Sequence, residues 1–90
     1  MSEYVVAEIY SKPSCPFCVK AKTLLKEKRI TFSEKIVGTD ATKEEIQEIV
    51  DNMGIKTTIR TVPQIFFHRP NEGRVDYIGG FDDLAKYFQD

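Results

Sequence analysis

Tyr4-Val5-Val6-Ala7-Glu8-Ile9-Tyr10-Ser11-Lys12-Pro13-Ser14-Cys15-Pro16-Phe17-Cys18 is the stretch whose reading decides the fold. From Tyr4 to Tyr10 it is β-branched and aromatic, and it stops at Ser11-Lys12-Pro13, the pattern of a buried strand. Ser14 can cap a helix that sets Cys18, Ala21, Leu24, Leu25 and Lys28 at spacings of three and four. A strand handing over to a helix makes Cys15 the residue at the junction.

Outward from there, strand-like and helix-like patterns alternate. Ile30 to Val37 reads as a second strand, closed by Gly38. Thr42 with Glu45 is a capping-box pattern; Ile46, Ile49, Val50 and Met53 continue it as one apolar stripe that Gly54 ends. After a polar connector, Lys56 to Arg60, Val62 to Phe67 reads as a third strand. Asn71-Glu72-Gly73 is a turn and Arg74 to Ile78 a fourth strand, so these two should form a hairpin. Gly79-Gly80 breaks the chain before a last helix with Leu84, Tyr87 and Phe88 on one face. The order is β-α-β-α-β-β-α. A right-handed crossover between two parallel strands plus a hairpin predicts an α/β fold, a mixed four-stranded sheet flanked by helices on both faces.

Ninety residues support a single domain, residues 1–90. Thirteen Lys and Arg stand against 14 Asp and Glu, a formal charge of −1. No basic excess exists to neutralise phosphates, which argues against a nucleic-acid binder. No apolar run approaches the roughly 20 residues needed to cross a bilayer. Met1-Ser2-Glu3-Tyr4 lacks the basic-then-apolar layout of a signal peptide, so a cytoplasmic chain with no membrane partner is expected.

Cys15 and Cys18 are the only cysteines. A bridge across two residues staples almost nothing, because stabilisation grows with loop length. In a reducing compartment such a pair is catalytic or metal-binding more often than structural. Cys15 falls at a helix start, where unpaired N–H groups and the dipole favour a thiolate. Cys18 lies on the same face and can close a disulfide. Lys12 can add a positive charge, and Pro16 is tolerated in the first turn because its missing N–H would have been unpaired there. An attacking thiol with a pKa below the ordinary value of about 8.5 is the expected product.

Plainer readings compete. A closed zinc site needs four ligands, and His68, the only histidine, is far along the chain, so no metal is expected. The cysteines could instead pack as small apolar residues. Lys12 taken alone is a solvated lysine, and His68 a solvent-side residue beside Arg69. Thr61-Val62-Pro63 is plainly a strand-start proline; a cis bond there would turn the Val62 backbone toward an extended peptide. Gly79-Gly80-Phe81-Asp82-Asp83 is a helix start with Asp82 or Asp83 as cap, or a site offering N–H groups to a carboxylate and Asp82 to an amine.

CPFC after a strand, TVP at the third strand and GGFDDL before the last helix together resemble a dithiol glutaredoxin, from Tyr4 to Phe88. GGFDDL and the long connector look closest to small glutaredoxins of phages and bacteria that reduce ribonucleotide reductase. The resemblance implies a thioredoxin-like fold and a glutathione-dependent thiol–disulfide oxidoreductase, with glutathione as co-substrate. It makes Cys15 the nucleophile and Cys18 the resolving thiol. It sets Lys12 against a glutathione carboxylate, and Phe17 beside the tripeptide where many members have tyrosine. Val62 would pair through its backbone with the glutathione cysteine, flanked by Thr61, with Pro63 cis. Gly80, Phe81 and Asp82 would hold the γ-glutamyl end, and Arg60 takes a basic role. Partners would be glutathione and disulfide-bearing proteins, ribonucleotide reductase among the candidates, met by a monomer. The stretch Met53 to Arg60 is longer than in most members.

Two other functions use the same cysteines. A thioredoxin-like reductase would take electrons from a protein, although Pro16-Phe17 and the lysine before the motif favour glutaredoxin. Two chains could also hold an iron–sulfur cluster through Cys15 and glutathione, which Pro16 disfavours by stiffening the turn.

Overall fold

The computed structural model describes residues 4–89. The leader reading of Met1-Ser2-Glu3 lies outside them. The elements follow as β1 (Val6–Ser11), α1 (Pro16–Glu27), β2 (Thr31–Ile36), α2 (Lys43–Asn52), β3 (Gln64–Arg69), a 3-10 turn (Pro70–Glu72), β4 (Arg74–Gly79) and α3 (Phe81–Tyr87). They form one four-stranded sheet in the order β2-β1-β3-β4. β1 runs parallel to β2 and antiparallel to β3, and β3 pairs antiparallel with β4. The expected β-α-β-α-β-β-α order and mixed sheet are both present.

Strand periodicity divides the core. Ala7, Ile9, Ile65 and Phe67 point to one side, where they pack with Ala21 and Leu25 of α1 and Leu84 of α3. Tyr10 and Phe66 point to the other, against Ile46 and Val50 of α2 and Ile59 of the connector. The unbroken Ile65-Phe66-Phe67 run is thus buried on both faces, as befits an inner strand. Truncating either phenylalanine to alanine should cost about 3–5 kcal/mol.

Several ends differ from the sequence reading. Tyr4 and Val5 precede β1, and Ser11 belongs to it. Ser14 does not cap α1: its φ is +59°, whereas the cap position needs the extended backbone that Cys15 has. α1 stops before Lys28, and Arg29, at φ +59°, turns the chain so that the Ile30 N–H reaches the Leu25 carbonyl at 2.9 Å. β3 starts at Gln64, because Pro63 has no N–H for the ladder, and runs on to Arg69. The connector called polar buries Ile59, and Gln47 fastens it: its amide donates to the Thr57 carbonyl and accepts the Ile59 N–H, both at 2.8 Å. The cap of α3 is Gly80, whose N–H is taken by the Asp83 carboxylate at 3.1 Å. The Thr42–Glu45 capping box of α2 is complete, at 3.1 and 2.8 Å.

Candidate active site

Cys15 and Cys18 are joined as a disulfide, their Cα atoms 5.2 Å apart. The two sulfurs differ sharply in access. Cys15 is half-buried, and Cys18, on the inner face of α1, is 1% exposed. The Cys15 sulfur itself caps α1 by accepting the Cys18 N–H at 3.2 Å. Pro16 is the first helical residue, and the first turn carries no acidic side chain to oppose a negative sulfur. An anion at this atom meets the N–H and the positive end of the helix together. The Val62 carbonyl oxygen stands 3.9 Å from the same sulfur. Lys12 is exposed on the loop between β1 and α1.

Beside the disulfide runs an open groove of about 410 Å³. It brings together Phe17, Thr61, Val62, Pro63, Gly80, Phe81 and Asp82, which the sequence had scattered over three segments. The Val62–Pro63 peptide is cis. Phe17 and Phe81, with ring centroids 6.1 Å apart, wall one side, and the Lys20 ammonium lies 5.1 Å from the Phe17 ring centre. Lys12 and Arg60 are exposed and are not among the lining residues.

Two lining residues escaped the sequence reading, Gln64 and Tyr77. Asp83, read from the sequence as a cap candidate of the last helix, also lines the groove and does reach back to the cap N–H of Gly80. Gln64 and Tyr77 depend on strand register. The Tyr77 hydroxyl donates to Gln64 Oε1 at 2.6 Å, and Gln64 Nε2 donates to the Thr61 carbonyl at 2.8 Å. Burial, and then the charge of Asp83, push the Tyr77 phenol above its ordinary range, so it stays a donor.

Other polar clusters lie outside the groove. The Glu8 carboxylate accepts from Tyr10 and pairs with Lys35 at 3.0 Å, with His68 Nε2 at 3.4 Å. Burial raises its pKa, but these hydrogen bonds and the Lys35 charge together outweigh that and leave it lowered. His68 keeps its half-exposed, solvent-side position. Arg69 is buried, donating to Asp76 at 2.8 Å and to the Tyr87 hydroxyl at 2.6 Å. Among the described residues no group of three or more His, Cys, Asp or Glu stands where it could hold a metal, and no helix is long and apolar enough to cross a membrane.

A sequence model of the Glutaredoxin family matches residues 7–69. The chain belongs to the glutaredoxin family. Glutaredoxin 3 of Escherichia coli is 42% identical over 77 residues, which are 86% of this chain and 78% of that protein. A hybrid peroxiredoxin of Haemophilus influenzae is 44% identical over 80 residues, 89% of this chain but only 28% of that longer protein. Among solved structures, reduced Escherichia coli glutaredoxin superimposes with a TM-score of 0.67 at 28% identity, covering 91% of each chain. The glutaredoxin has a thioredoxin-like fold, and its Cys15–Cys18 bond is the redox-active disulfide of a thiol–disulfide oxidoreductase.

Proposed function

We propose that the chain reduces protein disulfides and glutathione mixed disulfides at the expense of glutathione. The observation carrying this reading is the groove itself. It opens beside the more accessible sulfur, with the Val62 carbonyl 3.9 Å from Cys15 and Asp82 among its lining residues. An extended tripeptide needs backbone partners near its cysteine and charged partners at its ends. Val62, flanked by Thr61 and the cis Pro63, offers the first to the glutathione cysteine. Gly80, Phe81 and Asp82 take the γ-glutamyl end, Lys12 and Arg60 take carboxylate, and Phe17 packs alongside.

In the reaction, the Cys15 thiolate attacks the glutathione sulfur of the substrate mixed disulfide, the substrate thiolate leaves, and glutathione remains on Cys15 as a mixed disulfide. That bond is broken by a second glutathione thiolate, which regenerates Cys15. The substrate thiol is set free, and the glutathione it carried is joined to one free glutathione as glutathione disulfide. With a protein disulfide, Cys15 forms the mixed disulfide and Cys18 attacks it. Both substrate thiols are then released, and the Cys15–Cys18 bond is left for two glutathiones to reduce. Ribonucleotide reductase is one candidate acceptor. A monomer acting in a reducing cytoplasm suits these steps.

The test separates the two cysteines. Cys18→Ser should keep glutathione-dependent deglutathionylation and lose most protein-disulfide reduction, while Cys15→Ser should lose both. Loss of both activities in Cys18→Ser would replace this reading with that of a thioredoxin-like reductase.

A further inference from the structure

We propose that Gln64 and Tyr77 are positioning residues, a two-step relay that holds the Thr61-Val62-Pro63 backbone in the shape that docks the cysteinyl part of a glutathionylated substrate. The proposal rests on the glutathione reading of the groove and adds to it two residues that touch no reacting sulfur.

The chemistry of each group leaves one arrangement. The Thr61 carbonyl can only accept, so the Gln64 NH₂ must face it, as it does at 2.8 Å. Gln64 Oε1 then points to Tyr77, whose hydroxyl must donate, as it does at 2.6 Å. With the amide reversed, two oxygens would oppose each other at Thr61. Tyr77 therefore fixes which way the amide faces, and the amide fixes the residue before Val62. Gln64 is 5% exposed, so water has little room to replace either bond.

Backbone register makes the relay possible. Ile65 pairs with Gly79 but Phe66 pairs with Tyr77, so β4 carries one extra residue, Ile78, at a bulge. Regular pairing from Arg69–Arg74 to Phe66–Tyr77 sets Tyr77 opposite Phe66, on the face that Gln64 also uses. The extra residue lies beyond that pair and sets Gly79, rather than Ile78, opposite Ile65. Its ring settles on Phe66 with centroids 5.2 Å apart.

A backbone held in place before the substrate arrives saves ordering entropy on binding. Losing the relay should therefore raise KM and leave kcat alone. The experiment measures kcat and KM for a glutathionylated peptide, together with the alkylation rate of Cys15. The variants are Tyr77→Phe, Gln64→Met, Gln64→Glu and the double variant Tyr77→Phe/Gln64→Met. Each single variant should raise KM by about two- to ten-fold, the worth of one net hydrogen bond. kcat and Cys15 alkylation should stay at wild-type values. Gln64→Glu still accepts from Tyr77 but cannot donate to Thr61, so it should be at least as impaired as Gln64→Met. The double variant should be no worse than Gln64→Met, because Tyr77 acts only through Gln64. Tyr77→Phe keeps the ring on Phe66 and carries the test if a Gln64 variant fails to fold. Unchanged KM in Tyr77→Phe, or fully additive effects in the double variant, would overturn the relay while the wild type still saturates. A wild type that never saturates with glutathionylated peptide would overturn the glutathione reading and the relay with it.

Discussion

The sulfur of Cys15 closes the bond to Cys18 and also caps the helix that follows, so the proposed nucleophile is part of the α1 terminus. On reduction the bond to Cys18 is gone, but the Cys18 N–H and the helix dipole remain. Both favour a thiolate over a thiol. In the reduced protein the alkylation rate of Cys15 against pH should rise through a midpoint well below 8.5, and Cys18, 1% exposed, should react far more slowly. A Cys15 midpoint near the free-thiol value would show that the cap does not activate it. The CPFC spacing made a cysteine at the helix start readable, because only a residue there meets unpaired N–H groups. That Cys15 rather than Ser14 is the cap was not readable: it follows from the backbone angles the loop adopts after Pro13.

Elements whose signals are local were legible. The Thr42–Glu45 box lies within one turn, and it formed where its residues indicated. Thr42→Ala should cost about 1 kcal/mol. In a chain this size that lowers the melting temperature by about 4–8 °C, with the disulfide chemistry untouched, as calorimetry and the two reduction assays would report. Elements whose signals are relational were not legible. Tyr77 belongs to the groove because it pairs with Phe66, and a single strand does not reveal its partner's register. Arg69 was passed over beside His68, yet it bonds Asp76 across the hairpin and Tyr87 beyond it. Next to the bulge, Gly79 sits at φ +113°, and a Cβ there would run into the Asp83 carboxylate that caps Gly80. Gly79→Ala should therefore destabilise the protein and loosen the start of α3. Thermal melts and amide exchange at Gly80 would register both; a variant as stable as wild type would contradict the geometry.

Across the whole molecule, carboxylates tie neighbouring elements together. Hydrogen bonds from Lys22 and Ser11 to Glu34 join α1, β1 and β2, and hold that carboxyl below its ordinary range. Arg69, with Arg74, does the same to Asp76. Groups with depressed pKa values stabilise the fold above the unfolded value, about 4, and cease to as pH falls through the lower folded value. Melting temperature should thus hold near neutrality and fall below about pH 4, and the fall should be shallower in Asp76→Asn. A parallel acid profile in that variant would remove Asp76 from the account. The site also reaches across the molecule: Cys15 and the Val62 carbonyl meet over 47 residues of sequence. Synthesis delivers these parts in order, N-terminus first. A ribosome that has released the chain as far as Gly38 has supplied both cysteines, β1 and β2, but not the strand that pairs with the other side of β1. The nascent protein carries both cysteines before it has a groove, so in that interval no groove residue can select what they react with.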